Sequence, residues 1–248
     1  MRPLILLALF ATTARADGYS MADLEILDKQ EAWDELGRHL DDVPPTKRDA
    51  RWQTILERTA VGSLVLRAAQ PVLAYQVAEQ LTKRFPTVKR SKDFMARRTT
   101  VGLAGLEACL QRNTEDCGAR FLDYVDADPT NQPLAVKAGI QLAGSTKPAV
   151  AVAFFKRGLA GRKNAKECAD KAVDRAVRAA LELPADNPRV ADANELAGAI
   201  CWDALAESLV EQLVRGGGGA YRHNACPLLL QKKVLSTVSQ NQCKKEKP

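Results

Sequence analysis

Cys168 and Cys201 stand almost equidistant from the turn Leu183-Pro184-Ala185-Asp186-Asn187-Pro188. The flanking runs, Asn164 to the turn and the turn to Arg215, both carry apolar residues at helical spacing. Folding them into an antiparallel hairpin sets the two thiols opposite each other at the ~5.5 Å Cα separation that a disulfide needs. In the first arm Cys168, Ala172, Ala176, Ala179 and Leu183 read as one stripe, flanked by Val173 and Val177. Glu167 with Lys171 and Asp174 with Arg178 fall at the supporting i,i+4 spacing. The second arm presents Val190, Ala193, Ala197, Ile200, Cys201, Ala204, Leu205, Leu209 and Leu213.

Oxidation needs an export route, and the N-terminus supplies one. Met1-Arg2-Pro3 precedes the apolar run Leu4 to Ala11, and Ala14-Arg15-Ala16 has the small-x-small pattern of a cleavage site. Residues 1–16 read as a signal peptide, too short in its apolar part for the ~20 residues of a membrane span. No cysteine follows the cut, so a lipid anchor is not expected, and no later segment reads as transmembrane. Removing Arg2 and Arg15 takes the formal charge from +6 to +4 (6 − 2), which is too mild for a nucleic-acid binder. The chain is expected in a periplasm or outside the cell.

All six cysteines, Cys109, Cys117, Cys168, Cys201, Cys226 and Cys243, follow the signal, as a disulfide framework requires. Cys109 and Cys117 flank the polar turn Gln111-Arg112-Asn113-Thr114. Cys226 and Cys243 pair only if the chain bends near Lys233-Val234-Leu235, because a straight helix would hold them ~25 Å apart.

Aromatics make up 5% of the chain, and alanine and leucine suit packed helices better than sheets. The expected fold is all-α: about ten helices in stacked antiparallel hairpins, without a sheet. Residues 17–215 form the helical domain, and residues 216–248 supply a glycine joint, a last helix opening at Cys226-Pro227 and a basic tail. Asp17 to Val43 reads as one acidic helix, with Asp17, Asp23, Glu25, Asp28, Glu31, Asp34, Glu35, Asp41 and Asp42 on its wet side. A second starts near Thr46, and others take Pro71 to Phe85, Asp93 to Gln111, Asp116 to Asp126, Pro133 to Ala143 and Pro148 to Leu159.

Ala127-Asp128-Pro129 before Ala135, Ala138 and Leu142, and Ala185-Asp186-Asn187-Pro188 before Ala193 and Leu196, resemble the HEAT pattern. The architecture is similar to α-helical repeat superhelices of the tetratricopeptide and HEAT kind, over about residues 46–214. That resemblance implies an α-solenoid and carries no functional residue across.

Chemistry-bearing residues are sparse. His39 ends the first helix, where a cation suits the terminus. His223 precedes Cys226 at a spacing that could chelate zinc, but oxidation removes the thiolate. Gly-x-Ser-x-Gly, His-Glu-x-x-His and Cys-x-x-Cys are absent, and Gly216 to Gly219 lacks the lysine of a phosphate loop. No catalytic residue, metal or cofactor is assigned.

One basic stretch stands out: Lys83, Arg84, Lys89, Arg90, Lys92, Arg97 and Arg98, opposed by Asp93 alone. It reads as a docking patch for an anionic partner, as an internal complement to the acidic first helix, or as a solvated face. The expected function is a non-enzymatic scaffold or adaptor for another protein or envelope component. The alternatives are a cell-wall hydrolase or its accessory subunit, and a binder of anionic envelope polymer through residues 83–98.

Overall fold

Serine, aspartate and asparagine caps and apolar residues three and four apart start and hold the helices of this chain. The structure, a computed structural model, describes residues 18–111, 121, 122, 125 and 129–244. The signal segment and Cys117 lie outside the described residues, as does most of the helix expected at Asp116 to Asp126. Phe121 and Val125 of that helix are helical and buried. The protein is all-α: no strand occurs among the described residues. Two compact units divide after Arg98.

The first unit contains α1 (Met21–Lys29), α2 (Trp33–His39), α3 (Ala50–Leu66), α4 (Pro71–Arg84) and the start of α5 (Lys92–Gln111). Ser20 opens α1 with a capping box: its hydroxyl accepts the Asp23 N–H while the Asp23 carboxylate accepts the Ser20 N–H. The single acidic helix expected over Asp17 to Val43 is broken. Glu31 turns to φ 54°, its N–H bonding Asp28 O and the Ala32 N–H bonding Leu27 O, which closes α1. On a straight helix Leu24 and Leu36 would point about 120° apart. The break allows both, and Leu40, to be fully buried.

The cap of α3 is Asp49, which accepts the Arg51 and Trp52 N–H groups, and not Thr46, which sits in the 3₁₀ turn Pro45–Lys47. Trp52, Ile55, Leu56, Ala60 and Leu64 then face the core, and the Trp52 indole N–H donates to Leu40 O at 3.1 Å. Pro71 occupies the first turn of α4, where a missing N–H costs nothing.

The second unit continues α5 and adds α6 (Gln132–Ala143), α7 (Ala151–Gly158), α8 (Lys171–Leu181), α9 (Pro188–Glu195), α10 (Trp202–Val214), α11 (Gly219–Gln231) and α12 (Thr237–Lys244). Helices α6 and α7 pack most closely, and a Cβ on Gly158 would meet the Val136 backbone nitrogen at 2.8 Å. Pro148–Val150 forms a 3₁₀ turn ahead of α7, where a continuous helix was expected.

The hairpin is present and Cys168 is bonded to Cys201, with a Cα separation of 5.3 Å. Its details differ from the expected stripe. Cys168 lies in the 3₁₀ turn Lys166–Ala169, ahead of the Asp170 cap, so the helical register starts later. The buried stripe is Val173, Ala176, Val177, Ala180 and Leu181, while Ala172, Ala179 and Leu183 are only half-buried. Glu167 therefore pairs with Arg162 (3.1 Å) and not with Lys171, whereas Asp174 and Arg178 meet at 2.6 Å as expected. The second arm is interrupted: α9 passes into a π turn at Leu196–Ile200, and fully buried Cys201 stands at the break before α10. The Asn164 N–H ties the two arms together by donating to Ile200 O at 2.9 Å.

Gly216 adopts φ 99° and closes α10, with the Gly217 N–H bonding Gln212 O. The glycine run is thus a closed turn, held by Arg222 Nε donating to Gly217 O at 2.9 Å. The last helix opens at Gly219 and not at Cys226-Pro227, so Pro227 lies inside α11. Burial decides this against the cost of an interior proline. Tyr221 is fully buried and donates to Leu209 O, while Asn224 donates to Leu181 O and Leu183 O at 2.9 and 2.8 Å. Lys233 then turns to φ 56°, supplying the bend that lets Cys226 reach Cys243 at a Cα separation of 5.6 Å. Cys109 is buried and disulfide-bonded; its expected partner, Cys117, is outside the described residues.

Candidate functional site

The basic stretch lies wholly in the first unit. Its shape follows from a buried residue at nearly every third position. Phe85, Val88, Ser91 and Phe94 are all buried, so the intervening lysines and arginines project outward. Lys83 and Arg84 close α4, where the helix dipole favours cations. Pro86–Arg90 forms a 3₁₀ turn carrying Lys89 and Arg90. Ser91 begins α5, its hydroxyl accepting the Phe94 N–H at 3.3 Å.

Two of the seven cations belong to the fold. Arg84 bonds the Asp41 carboxylate through Nε, donates to Gly37 O at 2.6 Å and Arg38 O at 3.3 Å, and lies 5.0 Å over the Phe85 ring. Arg98 has 5% of its side chain exposed and directs Nε and Nη2 onto Glu79 Oε1, at 3.0 and 2.8 Å. Lys83, Lys89, Arg90, Lys92 and Arg97 are exposed and make no ion pair among the described residues.

Four members of the acidic row meet arginines, mostly from outside the basic stretch. Glu25 meets Arg51 (3.4 Å), Asp28 meets Arg58 (2.9 Å), Asp34 meets Arg67, and Asp41 meets Arg48 (3.2 Å) as well as Arg84. Among the described residues, the ion pairs between the basic stretch and the acidic row are therefore confined to Arg84. Arg48 also lies 4.6 Å over Trp52, a stack that no periodicity in the sequence signals.

His39 ends α2 in a polar cluster. Its Nδ1 is 2.8 Å from Asp42 Oδ2, its Nε2 3.6 Å from Glu35, and Tyr19 stacks on its ring at 3.8 Å. The Tyr19 N–H and His39 together hold the Asp42 carboxyl below its ordinary range. His223 is exposed, and its neighbour Cys226 is consumed by Cys243, so the zinc spacing is void. Among the described residues no group of three His, Cys, Asp or Glu side chains could hold a metal ion, and no helix is long and apolar enough to cross a membrane.

No protein-family model, curated protein or solved structure matches the chain.

Proposed function

We propose that the chain is an exported, non-enzymatic helical scaffold that docks an acidic partner protein in the cell envelope through Lys83, Lys89, Arg90, Lys92 and Arg97. The observation that carries this reading is the imbalance in the first unit. Glu25, Asp28, Asp34 and Asp41 of its acidic row are matched by Arg48, Arg51, Arg58, Arg67 and Arg84, while five clustered cations stay exposed without partners among the described residues. Such a surplus raises the local concentration of an anionic partner and speeds its encounter. The signal-like N-terminus and the disulfides support export. The HEAT-like turns support a scaffold of stacked helices.

The test is capture from periplasmic extract by wild-type protein and by the variant K89E/R90E/K92E/R97E, with Arg84 and Arg98 left intact. Loss of the captured protein in the variant, and its elution by moderate salt, is the expected result. Capture unaffected by the reversal overturns the patch. Retention of purified anionic polymer in place of a protein overturns the choice of partner. Release of soluble fragments from cell wall overturns the non-enzymatic part.

A further inference from the structure

A cleft of about 680 Å³ opens in the first unit, between α2, α3 and α4. That volume is in the range of ligand sites, about 300–1,000 Å³. Two arginines frame it. Arg67, at the end of α3, bonds Asp34 of α2 and donates to Ser63 O, and Arg84 ties the end of α4 to the carbonyls of Gly37 and Arg38. With its framing arginines committed to the fold, the cleft is preorganised. Its lining holds four cations, Arg38, Arg67, Lys83 and Arg84, against one carboxylate, Asp34, a net of +3 (4 − 1).

Three groups in this cleft are unspent. The side chains of Arg38 and Lys83 are exposed and make no hydrogen bond or ion pair among the described residues. Trp33, half-buried, forms the apolar wall with Val77 and Leu81, yet its indole N–H has no acceptor there. Trp52, by contrast, spends the same group on Leu40 O. A ligand that uses all of this carries a carboxylate for Arg38 and Lys83, a carbonyl oxygen to accept the Trp33 N–H, and an apolar group against the Trp33 ring, Val77 and Leu81. A purely polar anion in an open, wet cleft gains only screened attraction, and a purely apolar group leaves the cations unmatched.

We infer that this cleft is the anchoring site for the partner, taking a short segment in which aspartate or glutamate adjoins leucine or phenylalanine. This rests on the reading of the chain as a scaffold for an acidic protein and adds where that protein is gripped. Lys83 belongs to both surfaces, at the end of the basic stretch and at the rim of the cleft.

The test is nuclear magnetic resonance of ¹⁵N-labelled full chain, with the three indole signals assigned through Trp33→Phe, Trp52→Phe and Trp202→Phe. The probe is the peptide acetyl-Asp-Glu-Leu-Phe-Glu-amide. The Trp33 signal is expected to shift saturably while those of Trp52 and Trp202 stay in place. In R38E/K83E the dissociation constant rises tenfold or more, and the Asn/Gln version of the peptide behaves likewise. Arg38 and Lys83 hold nothing in the fold, so an unmoved Trp52 signal certifies the variant as folded. A static Trp33 signal, or equal titration by the variant or by the uncharged peptide, overturns the site. Saturable binding of dodecanoate without the peptide overturns the peptide assignment. The K89E/R90E/K92E/R97E protein keeps the peptide response if the cleft is right, and wild-type capture of a partner without any peptide response sinks the cleft while leaving the scaffold standing.

Discussion

A Cβ built on Gly62 would lie 2.4 Å from the indole of Trp33, so α3 meets α2 backbone to ring. Gly62→Ala gains about 1 kcal/mol of helix propensity. It loses about 1–3 kcal/mol to overpacking, because the clash is with the rigid base of the ring. A net loss is expected, read as a lower urea midpoint at unchanged slope. A raised midpoint would show that α2 yields freely.

Glu31 holds a left-handed backbone angle at the end of α1 and makes no ion pair among the described residues. That conformation costs a side-chain-bearing residue about 1–2 kcal/mol, and glycine removes most of it. Glu31→Gly is expected to raise the melting temperature of the first unit by several degrees, at about 4–8 °C per kcal/mol for a unit of this size.

The Cys168–Cys201 bridge closes a loop of sequence separation 33 and Cys226–Cys243 one of 17. Loop entropy assigns about 3–4 kcal/mol to each. The paired alanine variants are expected to lose stability in that range under chemical denaturation. Digestion without reduction should yield these two crosslinked peptides; a Cys168–Cys226 crosslink would contradict the fold.

Glu79→Gln leaves the Arg98 guanidinium buried beside a neutral amide, at a cost of about 1–3 kcal/mol. Lys89→Gln, at an exposed position without a partner, should change stability by no more than about 0.5 kcal/mol. Comparing their denaturation midpoints separates the structural from the available cations of one stretch.

Asp28 is buried beside Arg58, and desolvation raises its carboxyl above the ordinary 3.8 against the pull of that arginine. The folded state therefore binds the proton more tightly than the unfolded one, and ionisation above the raised value costs stability. Asp28→Asn is expected to exceed wild type in stability at neutral pH, with the gap closing below about pH 4. Asp23, Asp42, Asp49 and Glu167 run the other way. Their lowered values mean that the stability they contribute is present above the unfolded values and lost in acid. Urea titrations of both proteins across pH 3–7 would check the crossing trends.

The helical spacing, Pro71 and the Gly144 turn made α4, α5 and α6 readable nearly to the residue, and symmetry about the Pro184 turn paired Cys168 with Cys201. The break at Glu31 was illegible because a glycine ordinarily marks such a helix end, and none stands there. Pro227 misplaced the start of α11 because local chemistry forbids what the burial of Tyr221 and Asn224 enforces. Within the basic stretch, no local rule separates Arg98 and Arg84 from their neighbours. Their partners Glu79 and Asp41 lie 19 and 43 positions away, and only the fold brings them near.

The bend at Lys233 and the bond from Cys226 to Cys243 together shape how the chain withstands a protease. Lys232 and Lys233 are exposed between α11 and α12 and offer trypsin a cut site. A nick there would not release α12, which the sulfurs still hold. The clipped protein would run intact on a gel without reductant and shed its C-terminal peptide only when thiol is added.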